Sequence, residues 1–124
     1  MKIDDEVLER LKNAKTAFAL TGAGSSEPSG IPTFRGGDGF WKNGTPFTVE
    51  AFTENPQKVW EWHLKVKEMI KKKLPNPAHF TLVKMQDVYR KFAVITQNID
   101  NLHQKAGSNK VIELHGNIYR NKCN

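Results

Sequence analysis

The stretch TAFALTGAGSS, residues 16–26, decides the fold. Its apolar run (Ala17, Phe18, Ala19, Leu20) leads straight into Gly22 and Gly24. A short apolar run that ends in glycines reads as a buried strand entering a tight turn. Two later stretches have the same form: KFAVITQN at 91–98 and KVIELHG at 110–116. Helical patterns lie between the three, and strands separated by helices indicate an α/β architecture with a parallel sheet. Ligands bind such sheets beyond the carboxyl ends of the strands. Here those ends read TGAGSS, TQNIDN and HGN, so Gly22, Gly24, Gln97, Asn98, Asp100 and His115 are expected around one crevice.

The connecting segments follow from periodicity and breakers. DDEVLERLKNAK (4–15) places Val7, Leu8 and Leu11 at helical spacing, with an acidic start and a basic end that suit the helix dipole. Residues 24–50, rich in Gly, Pro, Ser and Thr, read as a long loop, of a length that is usually functional or mobile. A helix is expected from Asn55 to Leu74, ended by the prolines of LPNPAH. A further helix spans Ala78 to Arg90, with Phe80, Leu82, Val83 and Val88 as core candidates. DNLHQKAG reads as a short helix closed by Gly107. The sequence has no internal repeat and no low-complexity tract.

Composition narrows the class. The chain of 124 residues is 38% hydrophobic and 26% charged, the balance of a soluble globular protein. Its apolar stretches are too short for a membrane span, and a cytoplasmic location is the default expectation. A single cysteine excludes an internal disulfide and, taken alone, a cysteine-based zinc site. The net charge of +6 favours acidic partners. Its densest cluster, KVKEMIKKK (65–73), reads as a solvated helix face. No nucleic-acid-binding motif accompanies it, so nucleic acid is not the expected partner.

Four features carry chemistry. GAGSSEPSG (22–30) has the glycines of a phosphate-cradling turn, although the dinucleotide fingerprint would need a third glycine where Glu27 stands. On its own it also fits a plain tight connection. Arg35 could grip phosphate with two hydrogen bonds, or be an ordinary surface arginine. In TQNID (96–100), Asn98 and Asp100 suit a carboxamide, which has a donor and an acceptor end; Asp100 equally suits a cap on the next helix. His115 at a strand end is a candidate general base. His63, His79 and His103 read as structural residues, two on helix faces and His79 near a helix start.

In this order and spacing, TGAGSSEPSGIPTFRG, PNPAH, VITQNIDNLHQKAG and VIELHGN resemble the signature segments of the sirtuins, NAD-dependent protein-lysine deacylases. The resemblance covers nearly the whole chain from about Thr16 onward. It implies a Rossmann-like parallel sheet with helices on both faces, incomplete here. The NAD-binding part would occupy about 1–38 and 76–116, a helical and loop insertion about 39–75, and the start of a zinc-binding module about 117–124. Gly22, Ala23 and Gly24 would line the phosphate and ribose site, with Phe34 and Arg35 on the cofactor loop. Gln97 and Asn98 would contact the ribose, Ile99 and Asp100 would hold nicotinamide, and His115 would be the general base beside the cofactor.

The implied activity is protein-lysine deacetylation, forming nicotinamide and O-acetyl-ADP-ribose from NAD and an acetyl-lysine protein. Two alternatives stand beside it: an inactive NAD- or ADP-ribose-binding module that needs a partner, and NAD-dependent protein ADP-ribosylation. Ser25 stands where the family usually has an aliphatic residue, which implies altered packing of the cofactor loop. Sirtuins that remove acidic acyl groups share a Tyr-x-x-Arg pair on the helix corresponding to VWEWHLKVKE. Those positions are His63 and Val66 here, so neutral acyl groups are favoured. Cys123 would be the first of four zinc ligands, and zinc would bind only if the other cysteines are supplied. The chain therefore reads as the N-terminal half of a sirtuin, completed by a C-terminal half or by self-association.

Overall fold

The computed structural model describes residues 3–34, 39 and 48–122. Three strands, β1 (Thr16–Thr21), β2 (Lys91–Thr96) and β3 (Val111–Glu113), form a parallel sheet in the order β1-β2-β3. Helix α1 (Asp5–Asn13) precedes β1. Helices α2 (Val49–Glu54), α3 (Pro56–Lys71) and α4 (Pro77–Val88) lie between β1 and β2, and α5 (Leu102–Ala106) joins β2 to β3. The α/β class and the parallel order are those expected. No described helix is long and apolar enough to cross a membrane.

Local chemistry sets the helix bounds. The Asp4 carboxylate accepts from the backbone N–H groups of Glu6 and Val7 and starts α1. The helix expected over 55–74 is shorter and has a neighbour before it. Asn55 ends α2 and caps α3 through a bond from Lys58 N at 3.0 Å, with Pro56 at the first helical position. Asn76 and Pro77 repeat the device at α4. Two expected core residues of α4, Phe80 and Val88, are 48% and 71% exposed. The stripe that turns inward runs instead through His79, Leu82 and Val83, at the i, i+3, i+4 spacing of one helix face.

The apolar side chains form two cores. Tyr89, Phe92 and Val94, with Leu82, Met85 and Val111 against them, seal one sheet face under α4. A second core lies at the carboxyl ends of the strands, where Val66 and Ile70 of α3 meet Ile31, Leu102 and Ile118. This second core seats the loops that carry the chemistry. On the other sheet face, Leu20, Ile95 and Ile112 sit side by side in register. Phe18, Leu20, Ile112 and Leu114 there are 68%, 64%, 44% and 53% exposed.

Candidate functional site at the strand ends

The glycine turn after β1 folds into two 3-10 turns, Ala23–Ser25 and Glu27–Ser29. Backbone bonds from Ser25 N to Gly22 O (2.9 Å) and Ser26 N to Ala23 O (3.0 Å) close the first. The second ends at Gly30, whose φ of 76° is the left-handed conformation that glycine adopts most freely. Side chains from three later segments hold this loop. Asn98 Nδ2 donates to Gly22 O (3.0 Å), Ser25 Oγ (3.1 Å) and Ser26 Oγ (3.1 Å). Asn76 Nδ2 donates to Ser25 O (2.8 Å) and Ser29 Oγ (2.9 Å). Ser26 Oγ donates to Asp100 Oδ2 at 2.6 Å, and Leu102 N donates to Asp100 Oδ1 at 2.9 Å. Both oxygens of the buried Asp100 carboxylate are thus bonded, which offsets the cost of removing its charge from water.

The ends of β2 and β3 are tied together in the same manner. His115 Nδ1 lies 3.1 Å from the Gln97 carbonyl oxygen, and Ile118 N donates to Ile99 O at 3.0 Å. Glu113 accepts from Gln104 Nε2 (2.7 Å) and Asn117 Nδ2 (2.6 Å) and pairs with Arg120. Asn101, at a φ of 66°, accepts from Asn117 Nδ2 at 3.1 Å. A carbonyl can only accept, so the His115 proton sits on Nδ1 and the lone pair on Nε2.

A cavity of about 830 Å³ opens between these loops. Ala23, Phe34, Gln97, Asn98, Ile99 and His115 line it, together with Thr33, His63, Asn117 and Ile118. A void of about 20 Å³ beneath reaches Ser26 and Asp100. Six of the expected site residues therefore share one cavity. Asp100 lies under its floor, and Gly22 contributes its carbonyl to the Asn98 bond. Gly24 sits exposed in the turn, outside the lining. Arg35 and Cys123 fall outside the described residues.

The amide of Asn98 spends its donor end on the loop, leaving Oδ1 as what it can offer a ligand. Ser25 is part of that bracing: it bonds Gly22 O at 2.8 Å and receives Asn98. Sequence reasoning missed Ser26, Asn76, Asn117 and His63. Asn76 had a signal in its place before Pro77, the pattern of a helix cap. His63, read as structural, instead lines the cavity with a buried Nε2 that has no partner.

Burial shifts three groups. His79 is held below its ordinary value by desolvation, against the pull of Asp100. His103 is pushed down to about 4 by desolvation and by His79, again against Asp100. The Tyr119 phenol is pushed up by burial and by Asp100 and Glu68.

The described residues do not by themselves fit a structural zinc. Among the described residues no group of three His, Cys, Asp or Glu side chains could hold a metal, and the chain has one cysteine where a tetrahedral site needs four ligands. A dinucleotide fits better. The cavity lies at the carboxyl ends of a parallel sheet, is of ligand size, and is floored by fixed polar groups.

Known proteins agree with that architecture. Residues 22–124 match the family model described as the Sir2 family. An NAD-dependent protein deacylase of Pyrococcus abyssi is 51% identical over 122 residues, covering 95% of this chain and 48% of that protein. One from Aquifex aeolicus is 54% identical over 107 residues, covering 84% and 45%. The chain spans about half the length of the curated relatives it matches. A Sir2 homologue–NAD complex superposes with a TM-score of 0.79 at 41% identity, covering 94% of this chain and 46% of that one. A Sir2 homologue variant bound to ADP-ribose gives 0.85, also at 41% identity, covering 93% and 47%. Sequence motifs, strand-end cavity and these likenesses converge, and the chain belongs to the Sir2 family.

Proposed function

We propose that this chain is the N-terminal half of an NAD-dependent protein-lysine deacetylase that acts in the cytoplasm and yields nicotinamide and O-acetyl-ADP-ribose. The observation that carries the reading is His115, set at the rim of the cavity with its proton fixed on Nδ1 by the Gln97 carbonyl. Its Nε2 lone pair is then available to take a proton from a sugar hydroxyl, the task of a general base. NAD supplies a ribose carbon with a departing nicotinamide. Asp100, braced by Ser26 and Leu102 N, gives the floor a fixed negative end toward which a carboxamide N–H can turn. Phe34 and Ile99 contribute apolar wall that keeps water from the reacting sugar.

The acyl group taken is neutral. Val66 is 6% exposed and packed in the second core, so that position provides no cation for an acidic acyl chain. Cys123 ligates zinc only with cysteines from another segment. The exposed apolar sheet face supports the companion reading that this half works with a second half or a second copy.

The test is nicotinamide release from NAD plus an acetyl-lysine peptide, with His115→Ala as control. It is run on the chain alone and with the C-terminal half of a relative added. Peptide-dependent release that is lost in the variant supports the assignment, and release only with the added half supports the companion reading. No release in either mixture, from a folded chain that also fails to bind ADP-ribose, overturns both.

A further inference from the structure

Two buried imidazoles that the proposed chemistry does not use meet beneath the cofactor loop. His79 of α4 and His103 of α5 are each 1% exposed, with ring centroids 4.8 Å apart. One nitrogen of each ring has a partner that fixes its proton. His79 Nδ1 accepts from the Asn76 backbone N–H at 3.3 Å, so the His79 proton sits on Nε2. The Thr21 hydroxyl lies 2.8 Å from Thr96 Oγ1 and 2.9 Å from His103 Nε2; with its proton toward Thr96 it accepts from His103. In that arrangement His103 carries its proton on Nε2 as well. What remains is an N–H on His79 and a bare lone pair on His103 Nδ1. Both atoms are buried and neither has another partner. The donor and the acceptor thus sit on neighbouring rings, and each is what the other lacks.

We propose that His79 and His103 are positioning residues, a tautomer-matched neutral pair in which His79 Nε2–H serves His103 Nδ1 and locks α4 to α5. The link closes a ring. Asn76 holds Ser25 O and is held by His79. His103 bonds Thr21, and Thr21 bonds Thr96. Thr96 receives Asn98 N at 3.0 Å, and Asn98 returns to Ser25 Oγ. The 3-10 turn is thereby gripped from both flanks by one continuous circuit.

The circuit works only while both rings are neutral. A proton on His79 Nδ1 would face the Asn76 N–H, and one on His103 Nδ1 would face the His79 N–H. The titratable groups acting on the pair are the two rings themselves and Asp100, on the connection from β2 to α5; burial outweighs that carboxylate for both rings. The role in cofactor positioning rests on the NAD-site reading. The pairing does not.

The test is a two-bond ¹H–¹⁵N correlation spectrum of the histidine-labelled chain, followed from neutral pH down to mild acid. Both rings should appear as Nε2–H tautomers, and both should stay neutral below the pH at which a free imidazole charges. An Nδ1–H tautomer for either ring, or titration at the free value, overturns the pairing. His103→Asn keeps an acceptor where Nδ1 stands, whereas His103→Leu removes it. The Asn variant gives up the Thr21 bond, so it should keep the His79 signature and lose about threefold in ADP-ribose affinity, whereas the Leu variant should lose the signature and roughly tenfold in affinity. Equal loss in the two variants refutes the positioning role. A parent chain with the expected tautomers that binds no ADP-ribose sinks the NAD-site reading and leaves the pair standing.

Discussion

Replacing Ser26 with alanine removes one hydroxyl from the centre of the strand-end network. Ser26 is 1% exposed; its Oγ donates to Asp100 Oδ2 at 2.6 Å and accepts from Asn98 Nδ2 at 3.1 Å. A hydrogen bond to a charged group contributes about 1.5–3 kcal/mol, and one lost at a buried site is not replaced by water. Asp100 is 4% exposed, so its Oδ2 is left short of a donor. Asn98 keeps Gly22 O and Ser25 Oγ, and its side of the loss is small. The expected destabilisation is about 2–3 kcal/mol, a large part of the 5–15 kcal/mol typical of a domain. Urea unfolding followed by tryptophan fluorescence would read it as a midpoint lowered by on the order of 1 M. The cycle with Asp100→Asn separates the bond from its surroundings, with a coupling of about 1–2 kcal/mol expected. A Ser26→Ala chain within about 0.5 kcal/mol of the parent, or single effects that simply add, would refute the reasoning.

Acid should weaken the fold through the histidine pair. His103 moves from 6.5 to about 4 on folding, so the unfolded chain takes up a proton that the folded chain refuses. Stability is then full above pH 6.5 and falls as pH drops toward about 4. At pH 5 the loss from His103 is about 2 kcal/mol, 1.5 pH units at about 1.36 kcal/mol each, and His79 adds in the same direction. Urea midpoints at pH 7.5 and 5.0 check it; equal midpoints would count against buried neutral rings. Charging the open sheet face with Phe18→Lys and Leu20→Lys should change the chain's own stability by less than about 0.5 kcal/mol, because both side chains already face water. The same pair should abolish association with a second half in a sedimentation experiment. Unaltered association would place the partner elsewhere.

The sheet was legible because its strands are short apolar runs that lead into glycine or amide residues. Their convergence followed from parallel order alone, and six of the expected side chains do share the cavity. The bracing was not legible. Thr21 and Thr96 bond across 75 residues and Ser26 and Asp100 across 74, and no spacing rule connects positions so far apart. His79 and His103 were recognisable as structural histidines, but their tautomers depend on neighbours that only the fold supplies. Phe80 and Val88 misled for a related reason. They are apolar, yet α4 has only one side turned to the sheet.

The register of β1 against β2, Thr16 opposite Lys91, also governs how the chain is born. A parallel strand cannot pair with its neighbour until the crossover between them exists. At a synthesis rate of about 5–20 residues per second, β1 waits roughly 4–15 s for a partner 75 residues downstream. During that interval neither edge of TAFALT is paired, and Phe18 and Leu20, exposed on the finished sheet too, lie on the unpaired segment. Non-local parallel pairing is slow to nucleate even once both strands are present. The ribosome-bound chain is thus most exposed to aggregation before its second strand emerges, and binding of a holding chaperone to nascent chains should peak in that window.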